Sequence, residues 1–206
     1  MASKVWWAST LAAACTAPTA LGGFAVVTGA TNASQWLGNA GAYSTITFTE
    51  FPYGTMIREQ YASLGIHFVE PQGNWINGSD INGTDVFLQD GWGLHGHNSI
   101  DMRFDTSMRG LAVYYPGIVK AQFFFGSELV YSWTQNGGGG SNKFAGFFGD
   151  VAFDRVVFKS ATNAPPWMDP YPAVFDNLYF TPVPAPGAAA CLLGFLAIAG
   201  GKRRAF

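Results

Sequence analysis

The strongest constraint on the fold is a negative one: no stretch holds apolar residues at helical spacing for roughly a dozen residues. What recurs is the period of two. Residues 44–48 read STITF, and residues 64–69 put Leu64, Ile66 and Phe68 on one face. Residues 85–89 carry Val86 and Leu88 around Phe87. Residues 100–104 read IDMRF, with Ile100, Met102 and Phe104 inward and Asp101 and Arg103 outward. Further runs at 111–115, 118–125, 129–133, 143–148, 153–159 and 173–180 are separated by turn residues such as Pro116-Gly117 and Gly126-Ser127. The last run offers Val174 or Phe175, Leu178 and Phe180 to a core. Short alternating runs divided by turns predict an all-β protein, an antiparallel β-sandwich of jelly-roll type, with a barrel as the alternative. Residues 56–64 have room for a helical turn or two, residues 30–42 read as a loose Gly/Asn/Ser-rich lead-in, and residues 136–142 (NGGGGSN) as a flexible hairpin tip.

The two ends do not belong to this pattern. Lys4 precedes an apolar or small stretch at 5–15, the length of a signal-peptide core rather than of a spanning helix. Thr28-Gly29-Ala30 offers a small-x-small cleavage site and Ala20 another. Residues 11–15 (LAAAC) faintly suggest a lipoprotein box, with Leu one place too early. This divides the chain into a signal peptide at 1–30, a domain at 31–181 and a tail at 182–206. The two cysteines, Cys15 and Cys191, both fall outside the domain, which leaves it no disulfide, thiolate zinc site or cysteine nucleophile. The eleven Lys and Arg include Lys4, Lys202, Arg203 and Arg204. Without them seven basic residues face thirteen acidic ones, a formal charge of −6. A domain so charged argues against nucleic acid and anionic lipid as partners.

The tail, PVPAPGAAACLLGFLAIAGGKRRAF, has a Pro-rich lead-in, an uncharged run at 188–201 and a basic end, Lys202, Arg203 and Arg204. The run is fourteen residues, short of the roughly 20 that span a bilayer as a straight helix, though flanking residues extend its reach. The basic end would stay cytoplasmic. This order of parts resembles the PEP-CTERM sorting signal of exported bacterial proteins. Val183, Pro184, Ala185, Pro186 and Gly187 stand at the motif, with Ala185 where a glutamate is usual. The resemblance implies an exosortase-type membrane protease as processing partner, transient membrane association through a C-terminal hydrophobic helix, and a destination at the cell envelope or outside it. A plain C-terminal anchor is the simpler reading. A second resemblance, to the lectin-like or carbohydrate-binding-module-like sandwiches of such proteins, rests on Gly54-Thr55, Gln60-Tyr61, Gly65-Ile66, Phe68 and the closing segment Phe175-Asp176-Asn177-Leu178-Tyr179-Phe180.

That second resemblance implies a structural calcium between an early acid and the closing strand, which here selects Glu50 and Asp176; isolated acids are otherwise mostly solvated. The tandem repeat I-N-G-[ST]-D at 76–85 brings Asp80 and Asp85 as further oxygen ligands, although the calcium-loop pattern is absent and a plain polar loop explains the same residues. In His95-Gly96-His97 two imidazoles share a face if extended, too few for zinc without a third ligand. Trp75 with Asn77, and Trp92 with His95 and His97, sit in Gly- and Asn-rich surroundings, where an indole face and polar neighbours suit a sugar ring. Trp133 and Trp167 are set similarly; for any one tryptophan, capping the core is the competing role. No nucleophile elbow, metalloprotease motif or phosphate loop is present. The expectation is a non-catalytic module that binds extracellular polysaccharide, with a structural matrix protein and a glycan-active enzyme as alternatives.

Overall fold

The structure, a computed structural model, describes residues 23–29, 32–69, 74–78, 92–96, 99–115, 119–135, 143–160 and 173–184. Two long strands dominate it, β7 (Ser99–Tyr115) and β10 (Lys143–Ser160). They pair antiparallel from Lys143 opposite Tyr115 to Lys159 opposite Ser99, with register shifts between Phe148 and Phe153 and again before Arg155. Such irregularities bend a strand and raise its twist. The sequence suggested two separate runs in each of these segments; each is one strand interrupted by the bend.

Either side of the bend the neighbours differ. The first half of β10 pairs with β1 (Phe24–Thr28), and its last residues with β8 (Val119–Phe125), which in turn pairs with β9 (Glu128–Thr134). The early part of β7 pairs with β4 (Ile66–Phe68), and its later part with β11 (Ala173–Pro182), which also carries β2 (Ser44–Ile46). A small extension, β3 (Met56–Ile57), β5 (Asn74–Gly78) and β6 (Trp92–Gly96), joins through residues 173–175 of β11. All pairings are antiparallel. The halves face each other across aromatic rings: Phe123 of β8 lies 4.8 Å from Phe147 and 5.1 Å from Phe24, and Trp133 of β9 lies 5.2 Å from Phe147. This arrangement fits a β-sandwich.

The expected inward residues Ile100, Met102, Phe104, Phe175, Leu178 and Phe180 are buried. Asp101, expected to point outward, is buried too, because Arg155 on β10 grips its carboxylate with two hydrogen bonds of 2.9 and 2.6 Å. Leu64 is exposed instead of sharing the buried face of Ile66 and Phe68; it ends a 3-10 turn (Ala62–Leu64) that Gly65 closes in the left-handed region.

The segment expected to be a loose lead-in contains a helix, α1 (Ala33–Ala40). It covers the outer face of the sheet, where Ala33, Trp36 and Ala40 pack with Ala112, Tyr114 and Phe144. The later part of β7 and the early part of β10 are therefore buried on both faces, which is why their sequences, GLAVYY and KFAGFFG, are nearly continuous in apolar residues and glycine. Trp36 is the anchor. It is fully buried, donates its indole N–H to the Phe147 carbonyl at 3.1 Å, and packs against Gly146 and Gly110. A methyl group on Gly146 would overlap the indole ring.

Two non-glycine residues take positive φ, Phe48 at 63° and Asn177 at 45°. Asn177 sits where the register of β11 slips between Asp176 and Tyr179, and asparagine is one of the few residues that accept this conformation. Phe48 is held by edge-on packing against Tyr61 and Phe68.

Several expectations lie outside the described residues: the leader up to residue 22, the strand at 85–89, the loop at 136–142, and the tail from Ala185 on, with Pro186, Gly187, Lys202, Arg203 and Arg204. Among the described residues no helix is long and apolar enough to cross a membrane. Of the sorting motif, Val183 and Pro184 are described, and the Val183 amide donates to the Ser107 carbonyl at 2.9 Å.

Gly146→Ala should lower stability by about 1–3 kcal/mol through overpacking. Gly38→Ala, on the same α1 where an added methyl meets open space, should raise it by about 1 kcal/mol. Paired thermal melts of the two variants check both signs.

Candidate ligand-binding face

The outward face of the layer formed by β4, β7, β10, β8 and β9 carries a continuous cross-strand row. His67 on β4 stands opposite Arg103 on β7, Arg103 opposite Arg155 on β10, Arg155 opposite Phe124 on β8, and Phe124 opposite Leu129 on β9. Two guanidinium groups directly opposite each other repel, and the structure answers this in two ways. Asp101 neutralises Arg155, whose charged form its hydrogen bonds favour, and the Arg155 guanidinium lies 5.2 Å above the Phe124 ring. Arg103 stays exposed, with no hydrogen bond or ion pair to another described residue.

Arg103 and Arg155 line an open cavity of about 450 Å³ together with Phe104, Gly126, Ser127 and Asp154. The Asp154 carboxylate accepts the Gly126 amide through both oxygens, at 2.9 and 3.0 Å, and so fixes the β8–β9 turn. Phe125 and Leu129 flank that turn and are about half exposed, at 50% and 48%. The site thus combines planar, multiply donating cations, a carboxylate, a hydroxyl and an apolar rim. Such a set suits a ligand with many hydroxyl groups and apolar ring faces.

Beside the row, the His67 imidazole lies between two carboxylates. Its Nδ1 is 2.5 Å from Glu59 and its Nε2 2.9 Å from Asp105. Only the imidazolium donates at both nitrogens. The hydrogen bond to Glu59, then that to Asp105, raises the His67 pKa above the ordinary histidine value. This clasp ties β4 to β7 and to the turn that holds Glu59.

The residues singled out in the sequence are placed differently. Trp75, Asn77, Trp92 and His95 lie in paired strands. The register sets Trp75 opposite His95, with Met56 and Val174 continuing the line on β3 and β11. Trp92 stands opposite Gly78, three positions from His95 along β6. The side chains of Trp75, Asn77 and Trp92, and all of Asp80, Asp85, His97 and Trp167, lie outside the described residues. Trp133 packs edge-on against Tyr115 and Phe147 in the core.

The strand that precedes Glu50, β2, does pair with the one that bears Asp176, Ile46 opposite Leu178; Glu50 itself lies in the turn four residues beyond β2. Glu50, however, is exposed and accepts the Tyr61 hydroxyl at 3.0 Å; burial first, and then this carboxylate, pushes the Tyr61 pKa up. Asp176 is fully buried and accepts the Asn177 amide at 2.6 Å, bracing the bulge. Among the described residues no three His, Cys, Asp or Glu gather into a group that could hold a metal ion.

The Arg103–Arg155–Phe124 row was not anticipated. Alternation in IDMRF already marked Arg103 as outward, but nothing local tells which strands flank it.

The clasp gives a pH dependence with a definite sign. Because the folded pKa of His67 is raised, its contribution is fully present below the unfolded value of about 6.5 and is lost as pH rises through the folded value. In urea titrations across pH 5 to 9 (roughly the range of histidine titration), the wild-type midpoint should fall relative to that of His67→Gln as pH increases.

No family of known proteins matches the chain. No curated protein matches it either. Among solved structures it is similar to a low-affinity xylan binding module, CBM86, from the xylanolytic gut symbiont Roseburia intestinalis, with 12% sequence identity over 69% of this chain and 97% of that one, and a TM-score of 0.32.

Proposed function

We propose that this chain is an exported, non-catalytic glycan-binding module that acts at the cell envelope, or in the matrix around it, and is sorted through its PEP-CTERM-like tail by an exosortase-type membrane protease. The observation that carries the binding role is the Arg103–Arg155–Phe124 row, whose two arginines line a cavity of about 450 Å³. Arg155 is pre-set by Asp101 and Phe124, so little of its freedom is lost when a ligand binds. Arg103 supplies donors not engaged by another described residue, and Asp154 and Ser127 add acceptors. Phe125 and Leu129 offer apolar contact to ring faces. The sorting role rests on the order of parts in the tail.

The test is a glycan array probed with the exported protein, followed by titration calorimetry on the strongest hit. Arg103→Ala and Phe124→Ala should each weaken binding by about ten-fold, the scale of one lost charge-assisted or stacking contact. Trp75→Ala serves as the contrast: if it abolishes binding while Arg103→Ala leaves it intact, the ligand sits on the β5–β6 face instead. Binding lost in chelator would return calcium to Glu50 and Asp176, or to Asp80 and Asp85. A blank array from folded protein would favour a structural matrix role.

A further inference from the structure

We infer that the leader is removed upstream of β1, between Ala20 and Gly23, and that the processed domain keeps residues 23–29. The inference rests on the export reading for there being a leader at all; the position of the cut comes from the sheet.

Residues 24–28 pair with residues 145–149 of β10 along their whole length. Phe24 stacks on Tyr131 at 4.5 Å and lies within 5.1 Å of Phe123 and 6.0 Å of Phe153, so it closes the sandwich between β9 and β10. Val26 also packs against the core. The chain is already seated at Gly23, whose carbonyl stands 2.7 Å from where a methyl group on Gly149 would be. Of the Thr28-Gly29-Ala30 triplet, which reads as a cleavage site in the sequence, Thr28 and Gly29 are tied into the domain. The Gly29 amide donates to the Phe144 carbonyl at 3.0 Å, the Asn32 amide to the Gly29 carbonyl at 2.9 Å, and the Asn32 side-chain amide to the Thr28 carbonyl at 2.8 Å. Gly29, at φ 95°, makes the corner from β1 into α1. A cut after Ala30 would delete β1, leave the edge of β10 unpaired over 145–149, and uncover Phe123 and Tyr131. Unpaired apolar edges promote aggregation.

A small-x-small triplet that spares β1 lies just upstream. In Ala20-Leu21-Gly22 small residues occupy the two positions that a leader peptidase reads. Hydrolysis there adds water across one peptide bond, leaving a carboxylate on the leader and a free amine at the start of the domain.

The experiment has two arms on the full chain. In the first, the chain is expressed in an exporting bacterium, and intact mass and N-terminal sequencing locate the new terminus. A start at Leu21, Gly22 or Gly23, unmoved by Ala30→Tyr and blocked or shifted by Ala20→Tyr with Gly22→Tyr, is the expected result. A start within or after β1, or an uncut chain, overturns it. In the second arm, amide hydrogen exchange is measured on the full chain produced without export. Slow exchange at the β1 amides that face β10 is expected; exchange as fast as in an unstructured peptide overturns the inference whatever the fate of the leader. An uncut chain with protected β1 amides would take down the export reading along with the cut, whereas a cut after Ala30 would take down this inference and leave export standing.

Discussion

The pairing of β7 with β10 is the interaction on which the rest of the molecule depends. It is long, in register at both ends, and broken in the middle where Phe153 meets Met108. A straight ladder of this length would make a ribbon with two exposed apolar faces. The bulged centre bends both strands, so that β8 and β9 come to lie over β1 and the first half of β10. The aromatic cluster of Phe24, Phe123, Tyr131, Phe147 and Phe153 fills the space between. β1, β4, β8 and β11 pair directly with one of these two, β2, β6 and β9 through one neighbour, and β5 and β3 further out along the extension.

Helix α1 completes the design from outside. One residue, Trp36, fills the groove left by Gly110 and Gly146 on adjacent strands, and its indole N–H donates to the Phe147 carbonyl. Buried polar groups need such partners. The glycines in KFAGFFG are therefore a packing requirement rather than a sign of looseness. The same segment of sheet takes β1 at its edge, so β1, α1 and the first half of β10 stand or fall together.

Polar chemistry collects on the opposite layer. Asp101, Arg155, Arg103 and His67 with its two carboxylates occupy one face, and each charge but that of Arg103 is answered by a named partner. Acids elsewhere serve the backbone: Asp176 supports the Asn177 bulge and Asp154 the β8–β9 turn. Asp176, which the resemblance implied as a calcium ligand, stands next to Asn177 where the strand slips by one register.

The sequence by itself determined the elements that depend on local pattern. Period-two alternation gave the strands at 44–46, 66–68 and 100–104 and the inward Ile66, Phe68, Ile100, Met102 and Phe104, because alternation reports directly on which face is buried. It also made the two ends recognisable as unlike the middle. It misjudged segments whose state is set from outside. The stretch ASQWLGNA, read as part of a loose lead-in, is helical because Trp36 has a groove to enter. Only the tertiary structure decided that Asp101 is buried, since that depends on Arg155 arriving from fifty-four residues away. It alone decided that Arg103, Arg155 and Phe124 form one row, because strand order and register are long-range properties that no local period encodes.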